Sequence, residues 1–365
     1  MTGTPPERRD ILVYRDRIGV PSEIAFSRRQ YLGFRNLRPV WIGRALLPGA
    51  EQISSSLIRI GGIRGMAFRH FGIAPALDFG KFVRVVHAQF ARGGALALPL
   101  VWAMDARLVV TLHGGDVGKD KNWRHTLLSR RWPEVIARSY RFVCVSHAVA
   151  EAASRRGVPE QKLTVLPIGV EVPASPSASP RDGTLLFAGR FVEKKGITVL
   201  ADAVRLLRAR GDMTKLVCAG DGPLRNVLER LARDVSGVEL VGWLPAPALA
   251  ARMATALALV VPSVVAEDGD AEGLPSVVPE AMAVGCVVIG TDEGGIAEAV
   301  TDNSTGLLVP PGDAEALAAA IHRVHSDPAR LADAAFHAVA RRFNAYRQSE
   351  TLETILLAAA GQASP

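Results

Sequence analysis

Residues 267–286 combine several carboxylates with an apolar run that must be buried. The segment reads EDGDAEGLPSVVPEAMAVGC, and its acidic side chains are Glu267, Asp268, Asp270, Glu272 and Glu280. A solvated acidic loop would explain Asp268 and Asp270, because carboxylates usually remain in water. It does not explain Glu280, which opens the apolar stretch AMAV. Glu280 therefore requires a different explanation.

The chemistry open to these carboxylates follows from a helix predicted over 276–284. Glu272 and Glu280 flank the N-terminus of this helix. Between them, Gly273 and Leu274 can offer backbone N–H groups, and Gly273 lets a ligand approach the backbone closely. Carboxylates accept paired hydrogen bonds from vicinal hydroxyls, and N–H groups at a helix start bind phosphate. The segment therefore predicts a ligand with sugar hydroxyls and phosphate, which is a nucleotide sugar.

Two cations follow an earlier predicted strand, in the segment AGRFVEKKG. Arg190 leaves the strand, and Lys195 stands five residues later, where the next helix begins. Cations beside the free N–H groups of a helix start suit a diphosphate. A solvated Arg and Lys on a loop is the alternative, and this motif alone does not decide between them.

The glycine and acidic motifs raise two other ligand classes, a nicotinamide cofactor and a metal ion, and we disfavour both. In AGDGPLR, Gly220 and Gly222 lack the third glycine of a dinucleotide fingerprint, which argues against a nicotinamide cofactor. Asp268 and Asp270 match a DxD metal motif, and two carboxylates could ligate Mg²⁺ or Mn²⁺. Because Arg190 and Lys195 already supply positive charge for a leaving group, we expect no metal and no cofactor.

Three histidines follow apolar strand-like runs. His113 is followed by two glycines and Asp116, which would admit a ligand at a strand end, although a structural hydrogen bond is the alternative for His113. His87 and His147 occupy similar positions with weaker signals. Ser22 can cap the helix after the first strand, which places Glu23 in its first turn.

The elements that must position these residues alternate between strands and helices in both halves of the chain. Such alternation predicts parallel sheets covered on both faces, so we expect an α/β protein with two doubly wound, Rossmann-like domains facing across a cleft. A stretch rich in Pro, Ser and Ala separates the halves. The predicted domains are 1–172, a linker over 173–183, a second domain over 184–340, and a C-terminal helix within 341–365 that packs back on the first domain. Amphipathic helical periodicity extends over 331–359.

Four motifs in a fixed order carry a family resemblance: AGRFVEKKG, EGLPSVVPEAMAVG, GGIAEAV and TGLLVPPGD. They resemble the donor half of the retaining glycosyltransferases of family 4, which have the two-domain GT-B fold and include enzymes of bacterial cell-surface polysaccharide synthesis. The likeness covers most of 184–325. The first half joins it through VTLHGGD, VCVSHAV and KLTVLPIGVE.

The resemblance implies roles for individual residues. The implied catalytic residues are His113, Arg190, Lys195 and Glu272, and the implied donor-binding residues are Arg190, Lys195, Gly273, Leu274 and Glu280. Arg190 and Lys195 would bind the diphosphate, Glu272 the transferred sugar and Glu280 the ribose. On the acceptor side, which the family places in the first domain, Asp116 and Glu23 are candidates. The chain departs from the family in the 15–23 loop, where a single Gly19 stands in place of paired glycines.

Charge is distributed unevenly along a chain of net charge +7. Residues 1–172 carry 26 Lys and Arg against 13 Asp and Glu, whereas the remainder carries 17 against 23. The arginines of the basic half that we expect to face an anionic membrane are Arg28, Arg29, Arg35, Arg38, Arg44, Arg59, Arg64 and Arg69. We expect a cytoplasmic protein, because there is no long apolar run and no signal-peptide layout. The basic first half predicts peripheral binding to the inner face of the membrane. We expect no nucleic-acid partner.

The predicted function is transfer of a sugar, with retention, from a nucleoside diphosphate sugar to a glycan or lipid-linked acceptor. Two alternatives remain open at this point. A nucleotide-sugar epimerase of the same architecture would turn over donor without acceptor, and a noncatalytic nucleotide-sugar-binding protein would bind donor without turnover. The base, the sugar and the linkage do not follow from the sequence, because scattered loops decide them.

Overall fold

The computed structural model describes residues 8–119 and 126–361. They form two compact units, one of the described residues up to Gly169 together with those from Ala345 onward, and the other of Val170–Asn344. Each unit is an α/β domain built on one large parallel sheet, and in the first unit Arg17–Ile18 also pairs with Ala45–Leu46 as a small separate sheet.

The strands are short and mostly buried. They are β1 Arg9–Tyr14, β2 Arg17–Ile18, β3 Leu37–Gly43, β4 Ala45–Leu46, β5 Leu57–Arg59, β6 Phe82–Gln89, β7 Arg107–Leu112, β8 Ser139–Cys144, β9 Leu163–Val165, β10 Leu185–Ala188, β11 Leu216–Ala219, β12 Val238–Gly242, β13 Ala258–Val261, β14 Val287–Thr291 and β15 Leu307–Val309. In β7 every residue after Arg107 is buried, as expected of a parallel strand covered on both faces.

The helices alternate with these strands. They are α1 Ile24–Arg29, α2 Gly62–Met66, α3 Ala91–Ala103, α4 Gly115–Gly118, α5 Leu127–Arg138, α6 His147–Arg155, α7 Ile197–Ala209, α8 Arg225–Asp234, α9 Ala246–Thr255, α10 Val277–Ala283, α11 Gly294–Ala299, α12 Ala314–Val324, α13 Pro328–Arg342 and α14 Ala345–Ala359. A π-helical turn, Ala67–Phe71, continues α2, and short 3₁₀ turns include Pro21–Glu23 and Glu193–Lys195. No described helix has the length and apolar character needed to cross a bilayer.

Both sheets reverse their strand order at one point. The first sheet runs β5-β3-β1-β6-β7-β8-β9 and the second runs β12-β11-β10-β13-β14-β15, with all neighbours parallel. The reversal lies between β1 and β6 in the first unit and between β10 and β13 in the second. In open α/β sheets, ligands bind outside the carboxyl ends of the strands at such a switch. The predicted fold class of two doubly wound domains is confirmed.

The continuous helical periodicity over 331–359 is interrupted in the structure. Helix α13 ends at Arg342 and α14 begins at Ala345, because the chain between them leaves the helical path. There the backbone N–H of Val170 donates to the Phe343 carbonyl at 2.7 Å, and Val170 forms a parallel bridge with Asn344. The helix-like segment predicted over 331–359 is therefore two helices, because backbone pairing with a distant segment replaces helical hydrogen bonds between them.

Arg181 fastens the end of the predicted linker, residues 173–183, to the second unit. The linker contains no helix or strand. Its Arg181 guanidinium donates to the carbonyls of Met253, Ala254 and Ala256, at 2.9–3.2 Å, and to the Gly285 carbonyl. One side chain thus satisfies carbonyls at the C-terminal ends of α9 and α10, which helices leave unpaired.

Candidate active site

In the second unit, the predicted cationic motif follows β10, at the reversal of strand order. Lys195 ends the 3₁₀ turn that leads into α7, and Gly196 follows with a left-handed φ of 64°. A Cβ at position 196 would lie 1.7 Å from the Pro262 carbonyl oxygen. Only glycine therefore allows this turn to pack against the end of β13. The close approach sets the end of β10 beside the acidic segment that follows β13.

Lys195 and Glu272, predicted separately from two motifs, lie together in the structure. The Lys195 Nζ is 3.2 Å from the Glu272 Oε1, and the Lys194 Nζ lies 3.4 Å from the same oxygen. Lys194 also contacts the Asp270 Oδ1 at 3.1 Å. All four side chains are 9–13% exposed. The result is a nearly buried cluster of two lysines and two carboxylates.

This cluster keeps Glu272 ionised. Burial by itself would raise the pKa of Glu272, but the positive charges of Lys195 and Lys194 outweigh it and hold that pKa below its usual value. An ionised carboxylate is an acceptor only, so Glu272 can bind donor groups such as sugar hydroxyls. Lys194 was missed by sequence reasoning, although the dipeptide Lys194–Lys195 before a helix start was a usable signal.

The turn that carries Gly273 and Leu274 is held against α11. A Cβ at Gly295, in the motif GGIAEAV, would lie 1.8 Å from the Gly273 carbonyl oxygen, so a side chain there would displace the turn. Glu280 lies in the first turn of α10 and is partly buried. The Arg190 guanidinium is exposed and forms no ion pair with the residues that the structure describes. The donor-binding roles of these predicted residues stay predictions: Gly273, Leu274, Glu280 and Arg190.

The DxD pair is engaged inside the protein. Asp270 is bound to Lys194, and the Asp268 Oδ1 accepts a hydrogen bond from the Asp270 backbone N–H at 3.1 Å. Within residues 8–119 and 126–361, no group of three or more His, Cys, Asp or Glu side chains is arranged to hold a metal ion. The observed role of Asp270 is to pair with a lysine.

In the first unit, His113 directly follows β7, next to the reversal point. Its ring Nε2 lies 3.0 Å from the side-chain oxygen of Gln89, which ends β6. The ring packs against Phe90 and Phe26, with centroids 4.2 and 5.1 Å away. Burial, with the nearby Arg15 charge, lowers the pKa of His113 to about 3. The imidazole is therefore neutral at physiological pH and acts as a hydrogen-bonding group rather than a charge.

The two acceptor-side candidates both make structural contacts. The Asp116 carboxylate accepts hydrogen bonds from the N–H groups of Ala91, His113 and Gly114 at 2.8–3.0 Å, which ties the start of α3 to the loop after β7. Burial raises the pKa of Asp116. Both Glu23 oxygens are bound by Arg15, at 2.6 and 2.8 Å. Contact with an acceptor stays a prediction for each.

Sequence reasoning missed three residues around His113. Arg15 follows β1, and its guanidinium carbon lies 4.2 Å above the Phe90 ring, which in turn packs on His113. Phe90 has a φ of 68°, a rare conformation for a residue with a side chain. Gln89 ends the run FVRVVHAQ, and a polar residue closing an apolar strand was the available signal. The other histidines differ: His87 is fully buried, and His147 begins α6.

Comparison with known proteins relates both halves of the chain to glycosyltransferases. Residues 182–327 match the family described as "Glycosyl transferases group 1", and residues 50–172 match "Glycosyltransferase Family 4". The chain is 31% identical over 294 residues to the amylovoran biosynthesis glycosyltransferase AmsK of Erwinia amylovora, which covers 76% of this chain and 71% of AmsK. The chain belongs to glycosyltransferase family 4.

Other members of this family and solved structures extend the likeness. WcaL of Escherichia coli (strain K12) is 31% identical over 244 residues, which cover 63% of this chain and 59% of WcaL. The crystal structure of Anabaena Alr3699/HepE in complex with UDP has a TM-score of 0.76 at 18% identity, over 95% of this chain and 100% of that one. Sucrose-phosphate synthase from Thermosynechococcus elongatus has a TM-score of 0.73 at 22% identity, over 95% and 98%. At such identities these structures show the GT-B fold alone.

Proposed function

We propose that this family 4 glycosyltransferase moves a sugar, with retention at the anomeric carbon, from a nucleoside diphosphate sugar to a glycan or lipid-linked acceptor. The observation that carries the proposal is the cluster of Lys194, Lys195 and Glu272 at the strand-order reversal of the second unit. It places lysine ammonium groups, which can bind a diphosphate, beside an ionised carboxylate, which can accept hydrogen bonds from sugar hydroxyls. A nucleotide sugar offers both kinds of group. Solved structures of the same fold are described in complex with UDP and with UDP-glucose.

The pathway in which the enzyme works is the synthesis of a bacterial cell-surface polysaccharide. AmsK is described as an enzyme of amylovoran biosynthesis and matches this chain over 76% of its length. We expect no cofactor, because the proposed step moves the sugar directly from the nucleotide sugar to the acceptor.

In the proposed mechanism, the bond between the anomeric carbon and the diphosphate oxygen breaks while the acceptor oxygen attacks from the same face. Lys195 and Arg190 meet the charge that develops on the leaving diphosphate, which is the main electrostatic demand of the reaction. Glu272 accepts hydrogen bonds from hydroxyls of the transferred sugar, and Glu280 does so from the ribose. Because the acceptor oxygen attacks the anomeric carbon directly from that face, no protein nucleophile is required. The leaving phosphate oxygen takes the acceptor's proton, so no protein base is required either.

An assay with labelled donor separates this function from its two alternatives. We expect labelled glycan or lipid product with acceptor and only slow donor hydrolysis without it. A new nucleotide sugar formed without acceptor would show an epimerase, and donor binding without turnover would show a binding protein. Because Asp270 is paired with Lys194, the metal-independent mechanism predicts equal rates with and without EDTA. Loss of activity in EDTA, with recovery on Mn²⁺, would contradict that part.

We also propose that the enzyme works in the cytoplasm, peripherally bound to the anionic inner face of the membrane. The contact is made through the α2 segment, residues 59–73, which runs from the end of β5 through α2 and the π-helical turn. Here Ile63, Met66, Phe71 and Ile73 are 58–80% exposed, while Phe68 is fully buried and anchors the segment on Tyr14. Exposed apolar side chains interleaved with cations suit the bilayer interface.

The cations of this surface are Arg59, Arg64 and Arg69, which form no ion pair with the described residues. Other arginines in the basic half are offset by carboxylates: Arg38 binds Asp10, and Arg44 binds Asp16. We therefore place the proposed membrane contact on the α2 segment, and the orientation of the other arginines stays a prediction.

Co-sedimentation with vesicles tests this surface. We expect wild-type protein to bind vesicles rich in phosphatidylserine more strongly than phosphatidylcholine vesicles, and less strongly at high salt. Replacing Arg59, Arg64 and Arg69 with Gln should weaken binding by roughly a hundredfold, because each charge near the surface contributes about 1 kcal/mol. Replacing the matched, ion-paired Arg38 with Gln should change binding little. Equal binding to both vesicle types, or binding to neither, would refute the electrostatic part of the proposal.

A further inference from the structure

A buried network of polar side chains lies behind His113. Gln89 is 1% exposed, and its Nε2 donates to the Gln30 Oε1 and to the Tyr31 hydroxyl, each at 2.8 Å. Behind them, Gln30 donates to the Thr111 Oγ1 at 3.1 Å. His87 joins the same group, with its ring nitrogens 2.7 Å from the Tyr31 hydroxyl and 2.8 Å from the Thr111 Oγ1. A buried polar group without a hydrogen-bond partner is costly, so each side chain of this network must keep its partners and its orientation.

The network determines which atom of Gln89 faces His113. Both hydrogens of the Gln89 amide are used, one by Gln30 and one by Tyr31, so its oxygen is left to face the His113 ring. An amide oxygen only accepts, and therefore His113 Nε2 must carry a proton and donate it. In a neutral imidazole the other nitrogen, Nδ1, then holds the lone pair. That Nδ1 has no hydrogen-bond partner among the residues the structure describes.

We propose that Gln89 is a positioning residue for the transfer reaction, because its side-chain oxygen holds His113 in the Nε2-protonated form and presents Nδ1 as a hydrogen-bond acceptor to a substrate hydroxyl. This inference rests on the proposed sugar transfer. It adds to that proposal the residue that fixes the tautomer of His113. Gln89 acts only through His113 and touches no substrate.

The surroundings of His113 favour this role over that of a base. Burial and the Arg15 charge hold its pKa at about 3. The other titratable groups near it are His87, whose pKa burial also lowers to about 3, and Asp116. A base with so low a pKa takes up protons poorly at physiological pH. The neutral His113 ring can still orient a substrate hydroxyl through the lone pair on Nδ1. That lone pair exists only in the Nε2-protonated tautomer, so the tautomer decides whether His113 can play this role.

Nitrogen-15 NMR of the histidines measures the tautomer directly, in protein without substrate. The His113 signals are assigned by their disappearance in His113→Asn. We expect wild-type His113 to show a protonated Nε2 and an unprotonated Nδ1, and Gln89→Leu to lose this single pattern. Gln89→Glu puts a carboxylate at the same place, so we expect His113 to become protonated at a higher pH than in wild type.

Kinetics provide the second readout. Gln89→Leu should lower kcat at least about tenfold with little change in the KM for donor, because about 1.4 kcal/mol of orienting hydrogen bonding corresponds to that factor. Thr111→Val is the matched control, since it removes a hydroxyl of the same network without touching His113. It should leave the His113 tautomer as in wild type.

Three results would overturn the proposal: a wild-type His113 protonated on Nδ1, an unchanged tautomer in Gln89→Leu, or an equal change in Thr111→Val. If Gln89→Leu does not fold, the wild-type spectrum and the isosteric Gln89→Glu still decide. Because the tautomer is read without substrate, failure of the sugar-transfer function itself would appear separately, as wild-type protein with the expected spectrum and no product.

Discussion

Lys195→Ala should lower turnover about a hundredfold or more, since removing one fixed charge from the site of a developing anion costs roughly 3–4 kcal/mol of transition-state stabilisation. The Lys195 side chain is 13% exposed and its Nζ lies 3.2 Å from the Glu272 carboxylate, so water compensates poorly for loss of the charge. Because the charge is needed most as the diphosphate leaves, kcat should fall more than the affinity for donor. Steady-state kinetics with labelled donor measure both.

Two variants serve as controls for this experiment. Lys215→Ala removes an exposed lysine from the same unit and should have wild-type kinetics. Lys195→Arg keeps the charge in a different shape and should retain more activity than the alanine variant. Wild-type turnover in folded Lys195→Ala, with folding checked by thermal melting, would remove Lys195 from the mechanism. An equal loss in Lys215→Ala would show that net charge, rather than the site, is responsible.

Glu353→Ala should destabilise the first unit by roughly 3 kcal/mol or more, because it leaves three backbone N–H groups, one of them on the buried Leu37, without an acceptor. Glu353 lies on α14 and is 4% exposed. Its carboxylate accepts hydrogen bonds from the backbone N–H groups of Arg35, Asn36 and Leu37 at 2.7–3.0 Å. One side chain thus fastens the C-terminal helix to the segment that leads into β3.

Urea unfolding followed by tryptophan fluorescence measures this effect in the appropriate unit. Four of the five tryptophans, Trp41, Trp102, Trp123 and Trp132, precede Gly169 in the chain, so the signal reports mainly on the first half. Glu350→Ala is the matched control, because Glu350 lies one turn earlier on α14 and forms an exposed pair with Arg35. Such a surface pair contributes about 0–1 kcal/mol. Similar unfolding midpoints for Glu353→Ala and wild type would show that the buried carboxylate is not needed.

The position of the candidate site was predictable from the sequence because its residues lie in the segments that follow strands. His113 directly follows β7, Arg190 and Lys195 lie in the segment between β10 and α7, and Glu272 lies in the segment between β13 and α10. In a parallel sheet all carboxyl ends lie at one edge, so residues that follow neighbouring strands come together. That rule explains why Lys195 and Glu272 meet in the second unit. It says nothing about which side chains then bind one another.

The sequence by itself determined the two doubly wound α/β halves and the donor motifs, because hydrophobic periodicity and strand–helix alternation are local properties. Tertiary structure alone decided the partners: Lys194 with Asp270, 76 residues apart, and Glu353 with the Leu37 N–H, 316 residues apart. It also decided the break between α13 and α14, where pairing with Val170 replaces helical hydrogen bonds. The physical reason is that hydrogen bonds and ion pairs act over a few ångströms. Strand order and helix packing, rather than local propensity, decide which distant residues come that close.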